Sequence, residues 1–169
     1  MRFLIIFIFL SSSSFANELL DLKNIVINKE TKKYATLAFL DVNKKKLDLS
    51  DYKGNLILLN FWATWCAPCK EEMPSLDLLQ TNKSLDNLKI FPINIGQESS
   101  EKVKIFYKDL KIQNLEAYFD SPVTLAKTFN LRGVPTSILL NKNGEEFARI
   151  IGSIDFQDKK FIKWLSSYN

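Results

Sequence analysis

Two cysteines are the residues of this chain whose type and spacing could do chemistry. Cys66 and Cys69 are its only cysteines, and Ala67 and Pro68 stand between them. A pair this close can form a disulfide, exchange it with the thiols of another protein, or offer two thiolate ligands to a metal. Disulfides that serve stability usually close longer loops. The spacing therefore favours chemistry over a purely structural role.

The complete absence of histidine excludes several other chemistries. Ser-His and Cys-His catalysis, imidazole proton transfer and most zinc or copper sites depend on that side chain. The 23 basic and 19 acidic residues leave a net charge of +4, which is too small to indicate nucleic-acid binding. We therefore expect no cofactor, no resident metal and no nucleic-acid partner.

A strand is predicted just before the cysteines, and a helix is predicted to begin at them. Residues 56–62 are a continuous apolar run interrupted only by Asn60, as is typical of a central strand covered on both faces. A helix is predicted over residues 66–80, with Pro68 in its first turn, where a missing N–H costs nothing, and with a kink at Pro74.

This placement predicts different environments for the two sulfur atoms. Free backbone N–H groups and the helix dipole favour a thiolate at a helix N-terminus, so we expect Cys66 to be ionised and exposed. Cys69, one turn later, is expected to lie beneath it and away from solvent. Glu71 and Glu72 lie near the positive end of the same dipole.

The rest of the chain predicts one further set of strands and helices, without repeats or linkers. Alternation of strands with helices favours parallel strands, and Asn143-Gly144 indicates a hairpin. Residues 17–33 are compatible with a short helix or an extended arm. The remaining elements are a hairpin within 34–54, strands at 88–95, 115–119, 136–140 and 146–151, and helices at 99–110, 121–129 and 155–168.

Residues 1–16 have the pattern of a secretory signal peptide: Arg2, an apolar run over 3–10, then serines and small residues. The apolar run is far shorter than the roughly 20 residues that a membrane-spanning helix needs. We therefore expect cleavage near Asn17 and a periplasmic or otherwise extracytoplasmic product, with an uncleaved membrane anchor as the alternative. No cysteine near the cleavage site could carry a lipid.

With these segments in place, the chain resembles the thioredoxin superfamily, and more closely the TlpA/ResA-like group of exported bacterial thiol-disulfide oxidoreductases. The resemblance covers about residues 34–165 and rests on residues 53–74 and on Gly133-Val134-Pro135-Thr136. It implies a thioredoxin-like three-layer α/β/α domain over 17–169, with a central mixed sheet and an N-terminal β-hairpin extension at 34–54.

The resemblance also implies a substrate-binding surface around the cysteines. Pro135 matches the family's cis-proline, which packs against the pair, and the backbone of Val134 is left free to pair with an extended substrate segment. Trp65, beside the reactive sulfur, would be a hydrophobic docking surface. Ala67, Pro68 and Thr136 complete this surface, whereas Trp62 is expected to pack in the core.

Proton handling at the expected site leaves two interpretations of Glu72 open. It matches an acidic position that in ResA-like proteins lies near the cysteines and tunes their titration, or it serves only the helix dipole. Asn60 stands where cytoplasmic thioredoxins carry a buried aspartate that accepts the second cysteine's proton. That departure makes Glu72 the leading candidate for the task.

The function that the resemblance implies is thiol-disulfide exchange through a mixed disulfide on Cys66 that Cys69 resolves. The expected direction is reduction of disulfides in exported cysteine-containing proteins, for example during cytochrome c maturation, by a monomer recharged by a membrane thiol electron donor. The alternative is a copper-binding metallochaperone or assembly factor that uses both thiolates, although Sco-type carriers also use a histidine. A peroxiredoxin, with Arg132 as its only nearby arginine, ranks last.

Overall fold

Eight strands and four α-helices follow one another along residues 24–169, the part of the chain that the computed structural model describes. The predicted signal peptide and the cleavage near Asn17 lie outside the described residues. The strands are β1 Ile25–Lys32, β2 Ala38–Leu40, β3 Lys46–Asp48, β4 Leu56–Trp62, β5 Leu88–Asn94, β6 Tyr118–Phe119, β7 Thr136–Leu140 and β8 Glu146–Ile151. The helices are α1 Ala67–Leu79, α2 Ser100–Asp109, α3 Leu125–Thr128 and α4 Lys159–Ser166.

All eight strands form one mixed sheet in the order β1-β8-β7-β4-β5-β6-β2-β3. The pairs β4–β5 and β5–β6 are parallel, and the other neighbours are antiparallel. Every residue of β4 is buried, in agreement with its apolar sequence. The predicted central mixed sheet is thereby confirmed, with β4 in its interior.

Alternate residues of β4 enter two separate cores, because successive side chains of a strand point to opposite faces. Leu58 and Trp62 pack with α1, α2 and α4 on one face. Leu59 and Phe61 pack with α3 and with the segment around Phe39 on the other face. Helical layers therefore cover both faces of the sheet, and α1 is held firmly against the strand that precedes the cysteines.

The structure resolves the open interpretation of residues 17–33 in favour of an extended segment for its described part, since β1 pairs with β8. The predicted hairpin within 34–54 is present as β2 and β3, and it extends the sheet beyond β6. It is not the first described element, because β1 precedes it in the chain.

Three predicted elements are shorter than expected, two of them because side-chain caps fix where they begin. The Asp120 carboxylate accepts the backbone N–H groups of Thr124, Leu125 and Ala126, so α3 begins only at Leu125. Asp158 caps α4, which begins at Lys159. The strand predicted at 115–119 is reduced to β6, Tyr118–Phe119. None of the helices in the described part is long and apolar enough to cross a membrane.

Candidate active site at the cysteine pair

Cys66 and Cys69 are joined by a disulfide at the start of α1. Cys66 is the N-cap residue of the helix, and Pro68 lies in its first turn as predicted. The backbone N–H of Cys69 donates to Cys66 Sγ at 3.2 Å. When the disulfide opens, this donor and the helix dipole favour a negative charge on Cys66.

Cys66 is less exposed than the sequence predicts. Its residue is 4% exposed and that of Cys69 is 0% exposed, because both belong to the apolar core beneath α1. The exposed surface around the sulfur atoms comes instead from Ala67, Pro68 and above all Trp65, which is 67% exposed. In the disulfide form a partner therefore meets the indole of Trp65 before it meets sulfur.

The segment that contains Pro135 reaches the same end of the sheet. Thr136 in β7 pairs with Phe61 in β4, so the residues just before Thr136 lie beside the end of β4 that leads into the cysteines. The Val134–Pro135 bond is cis, Pro135 is buried, and Val134 packs against the core that contains both cysteines. Sequence reasoning thus selected two segments that the fold brings together.

Thr136 has a different placement from the other predicted substrate-binding residues. It is buried, and its Oγ1 donates to the carbonyl oxygen of Gly133 at 2.8 Å. The Thr136 side chain therefore holds the loop in shape, while the backbone of Val134 remains near the surface.

Glu72 is buried on α1, one turn after Cys69, with 3% of its surface exposed. Its carboxylate accepts a hydrogen bond from Asn60 Nδ2 at 2.8 Å and one from the backbone N–H of Ile154 at 3.3 Å. Burial raises the pKa of Glu72 to about 7, against the lowering effect of these two hydrogen bonds. This carboxyl group can therefore gain or lose a proton near neutral pH.

Asn60, at the middle of β4, joins Glu72 to the neighbouring strand. Its Nδ2 also donates to Ser137 Oγ at 3.0 Å, while its Oδ1 has no hydrogen-bond partner among the described residues. The region around the pair thus includes a buried amide oxygen that can accept a hydrogen bond from a protonated Glu72 after a small rearrangement.

Trp62 is fully buried at the end of β4, as predicted. Its ring stacks on that of Phe106 in α2, with the ring centroids 4.7 Å apart. The tryptophan therefore connects the strand that carries the cysteines to α2.

Glu98 is a residue of this site that sequence reasoning missed. Its carboxylate accepts hydrogen bonds from the backbone N–H of Thr64 at 2.9 Å, from the Thr64 hydroxyl, from Asn94 Nδ2 at 2.9 Å and from Lys102 Nζ at 2.6 Å. Because Thr64 is two residues before Cys66, Glu98 fixes the turn that carries Trp65 and the first cysteine.

The charge on Glu98 is stabilised even though the side chain is only 5% exposed. Burial raises its pKa, but the hydrogen bonds from Lys102, Thr64 and Asn94 together outweigh burial and lower the pKa to about 2. Gly96 lies against the carboxylate, and a Cβ atom at that position would be 2.7 Å from Glu98 Oε2. No motif marks Glu98, since only the parallel pairing of β4 and β5 brings its loop beside Thr64.

Within residues 24–169, no group of three or more histidine, cysteine, aspartate or glutamate side chains is placed to hold a metal ion. The polar groups around the disulfide instead form two separate hydrogen-bonded sets, one that contains Glu72 and Asn60 and one that contains Glu98 and Thr64. This arrangement can hold a thiolate, a buried thiol and a proton acceptor in one small region.

Comparisons with known proteins extend the likeness over most of the chain. The model of the Redoxin family matches residues 25–159. A protein named thiol-disulfide oxidoreductase ResA, from a strain of Bacillus cereus, is 31% identical over 132 residues, which cover 78% of this chain and 73% of that protein. The ResA protein of Bacillus subtilis strain 168 is 32% identical, over 68% of this chain and 63% of its own length, slightly under two thirds.

Solved structures of similar proteins superpose on most of this chain. StoA from Bacillus subtilis is 27% identical and superposes with a TM-score of 0.64, over 76% of this chain and 96% of that one. The exposed lipoprotein thioredoxin of Streptococcus pneumoniae strain TIGR4 is 27% identical and gives a TM-score of 0.66, over 79% of this chain and 99% of that one.

Proposed function

Because this chain belongs to the Redoxin family and is related to the ResA thiol-disulfide oxidoreductases, we propose that it reduces disulfide bonds in exported proteins. Thiol-disulfide oxidoreduction on cysteine-containing proteins is the activity of this group. The observation that supports our assignment most directly is the disulfide at the N-terminus of α1, with Cys69 fully buried.

The reaction begins with the pair reduced. The Cys66 thiolate attacks one sulfur of a substrate disulfide, the substrate S–S bond breaks, and one substrate thiolate leaves and takes up a proton. Cys69 then loses its proton and attacks Cys66 Sγ, which breaks the mixed disulfide and releases the second substrate thiol. Two electrons have passed from the cysteines to the substrate, and the protein is left with the Cys66–Cys69 disulfide.

Glu72 is our candidate for the acceptor of the Cys69 proton. Cys69 lies in the core and must become a thiolate there, which burial makes unfavourable. A chain without histidine needs another group that titrates near neutral pH, and the pKa of Glu72, about 7, meets that need. Asn60 then acts as a positioning residue, because its amide orients the Glu72 carboxyl group.

The substrate segment is proposed to lie between Trp65 and the Pro135 loop. Trp65, Ala67 and Pro68 supply exposed surface on the cysteine side, and the backbone of Val134 supplies hydrogen-bonding groups on the other. Buried Pro135 shapes the loop, and Thr136 braces it through Gly133. An extended peptide can pair with such a backbone segment in the manner of an added strand.

We place the protein outside the cytoplasm, in the periplasm or an equivalent compartment, reached through the predicted signal peptide. The similarity to an exposed lipoprotein thioredoxin supports that location. There the protein would act as a monomer, receive electrons from a membrane thiol donor, and keep cysteines of exported proteins reduced. The haem-attachment cysteines of apocytochrome c are the substrates that we propose first.

The test is a trapping experiment with the full chain in its own compartment. Cys69→Ser should accumulate mixed disulfides on Cys66 that dithiothreitol releases, while Cys66→Ser should form none. Adducts that require Cys69 would reverse the two roles. In cells that lack the protein, trapped partners should become more oxidised; a shift toward free thiols would show that the protein is an oxidant. Stoichiometric Cu(I) binding that Cys66→Ser abolishes, without adducts, would favour the copper alternative.

A further inference from the structure

A groove of about 750 Å³ opens beside the Pro135 loop. Val134 and Pro135 line one end of it, and Val26 of β1 and Ile151 of β8 line it farther from the cysteines. Val26 is 49% exposed and Ile151 is 57% exposed, and the two strands that carry them are neighbours in the sheet. The groove thus offers exposed apolar side chains among polar ones, and it is continuous with the loop that lies beside the disulfide.

The groove lies on the face of the sheet where the short helix α3 packs, and Thr128 of α3 is among its lining residues. Phe129, just after α3, packs on the core formed by β4 and β7, and β8 and β1 continue the sheet beyond it. Arg149 of β8 reaches back under the loop, where it donates to the carbonyl oxygen of Phe129 at 2.7 Å. The wall of the groove is therefore anchored to the residues that precede Pro135.

The charges along the groove have one sign. Arg132 and Lys32 are exposed lining residues, and neither forms an ion pair within residues 24–169. Arg149 also lines the groove, but its charge is compensated by the fully buried carboxylate of Glu146. No aspartate or glutamate of the described part is among the lining residues. The groove is therefore lined by apolar and polar side chains together, and its two uncompensated charges are both positive.

We infer that this groove binds the stretch of substrate polypeptide next to the disulfide under attack, and that it prefers substrates with an acidic side chain there. The inference rests on the proposed function and adds a substrate class to it. Apolar side chains of the extended substrate would contact Val26 and Ile151, and an aspartate or glutamate would pair with Arg132 or Lys32. Charge complementarity of this kind increases both association rate and selectivity.

The experiment compares two peptides that differ only in charge. Each contains one intramolecular disulfide, flanked on both sides by two glutamates in one peptide and by two lysines in the other. Turnover with dithiothreitol as the reductant gives kcat/KM for each. We expect the wild-type chain to prefer the glutamate peptide by about tenfold, a preference that falls as salt screens the charges.

Arg132→Glu should remove this preference or reverse it, mainly through KM. Lys160→Glu is the matched control, since Lys160 is an exposed lysine on α4, on the opposite side of the sheet, and the same charge change there should leave the ratio of the two peptides as in the wild-type chain. Because the measured quantity is a ratio within each variant, an unequal fraction of folded protein does not alter it.

Failure of the inference and failure of the proposed function give different results. If wild-type protein reduces neither peptide nor a small disulfide such as 5,5′-dithiobis(2-nitrobenzoate), the proposed function is wrong. If it reduces both peptides equally, or if Arg132→Glu keeps the preference, the function stands and the groove inference is overturned. A groove filled by a second copy would show dimers at the assay concentration and rates per molecule that fall as protein concentration rises, which would also overturn it.

Discussion

Two carboxylates stand on either side of the disulfide in opposite electrostatic conditions. Glu72 lies three residues after Cys69 with an amide and one backbone N–H as its donors, and its pKa rises to about 7. Glu98 holds the turn before Cys66 with donors that include an ammonium group, and its pKa falls to about 2. Burial raises the pKa of both groups; it prevails at the more deeply buried Glu72, whereas the larger set of donors outweighs it at Glu98.

The difference in pKa suits Glu72 and Glu98 to different roles. A carboxyl group that titrates near neutral pH can transfer a proton, whereas one that stays ionised down to about pH 2 serves as a permanent anchor. The region after the cysteines is therefore suited to proton transfer, and the region before them to fixed geometry.

Asn60→Asp should have the largest effect, because it places a second carboxylate beside Glu72. Two carboxyl groups in contact in a buried site cannot both ionise readily. We expect the variant to lose about 4 kcal/mol of unfolding free energy at pH 8 and clearly less at pH 5, where one group is protonated. Urea unfolding at both pH values measures this.

Ser137→Ala is the control for Asn60→Asp, since it removes the other hydrogen bond of the Asn60 amide without adding charge. Its cost should be about 1 kcal/mol at both pH values. An equal loss at pH 5 and pH 8 in Asn60→Asp would contradict the carboxylate interpretation.

Glu72→Gln should change the pH dependence of stability. The folded protein binds a proton at Glu72 up to about pH 7, and the unfolded chain releases it near pH 4.5, so stability should decrease as pH rises through this interval. The shift corresponds to about 3 kcal/mol, and the glutamine variant should lose that slope. A urea series from pH 4 to 8 tests it, with exposed Glu71→Gln as the control; parallel curves for wild type and Glu72→Gln would refute it.

Glu98→Gln tests the carboxylate that precedes Cys66. Its effect on the pH dependence of stability should be opposite to that of Glu72→Gln. Because its pKa is lowered from 4.5 to about 2, Glu98 contributes stability above pH 4.5 that is lost as pH falls toward 2. We expect the variant to lose about 2 kcal/mol at pH 7 and little at pH 2. A changed alkylation rate of reduced Cys66 would show that the turn has moved, whereas the control Glu30→Gln, at an exposed glutamate of β1, should alter neither measurement.

Thr64→Val should give the smallest effect. It removes one hydroxyl donor to Glu98 and leaves the backbone N–H of residue 64, Asn94 and Lys102 in place. The expected loss is about 1 kcal/mol in urea unfolding at pH 7. Thr81→Val, at an exposed threonine, is the control; a loss above that of Glu98→Gln would mean that Thr64 matters for another reason.

The sequence predicted the elements whose signals are local. The apolar run of β4, the proline in the first turn of α1 and the Asn143-Gly144 hairpin each lie within a few residues. Strand β1 could not be predicted as firmly, because most of its residues are exposed and its partner β8 is more than a hundred residues away. The true start of α3 depended on where the Asp120 side chain finds its donors.

The residues of the site, like the elements of the fold, could be predicted where their sequence signals are local. Cys66, Cys69 and Pro135 stand in recognisable segments, and Glu72 and Asn60 were selected by position. The hydrogen bond between those two depends on how α1 packs over β4, which no spacing in the sequence specifies. Glu98 had no signal at all, because its contact with Thr64 spans 34 positions and arises only when β5 aligns with β4.

The exposed indole of Trp65 should allow the redox state of the cysteine pair to be followed by fluorescence. The other two tryptophans, Trp62 and Trp164, are buried at 0% and 6% exposure, so a soluble quencher such as acrylamide would act almost entirely on the emission of Trp65. A disulfide next to an indole suppresses its fluorescence. Opening the Cys66–Cys69 bond should therefore raise the tryptophan emission, the part that acrylamide removes would report on Trp65, and each turnover could be followed without a label.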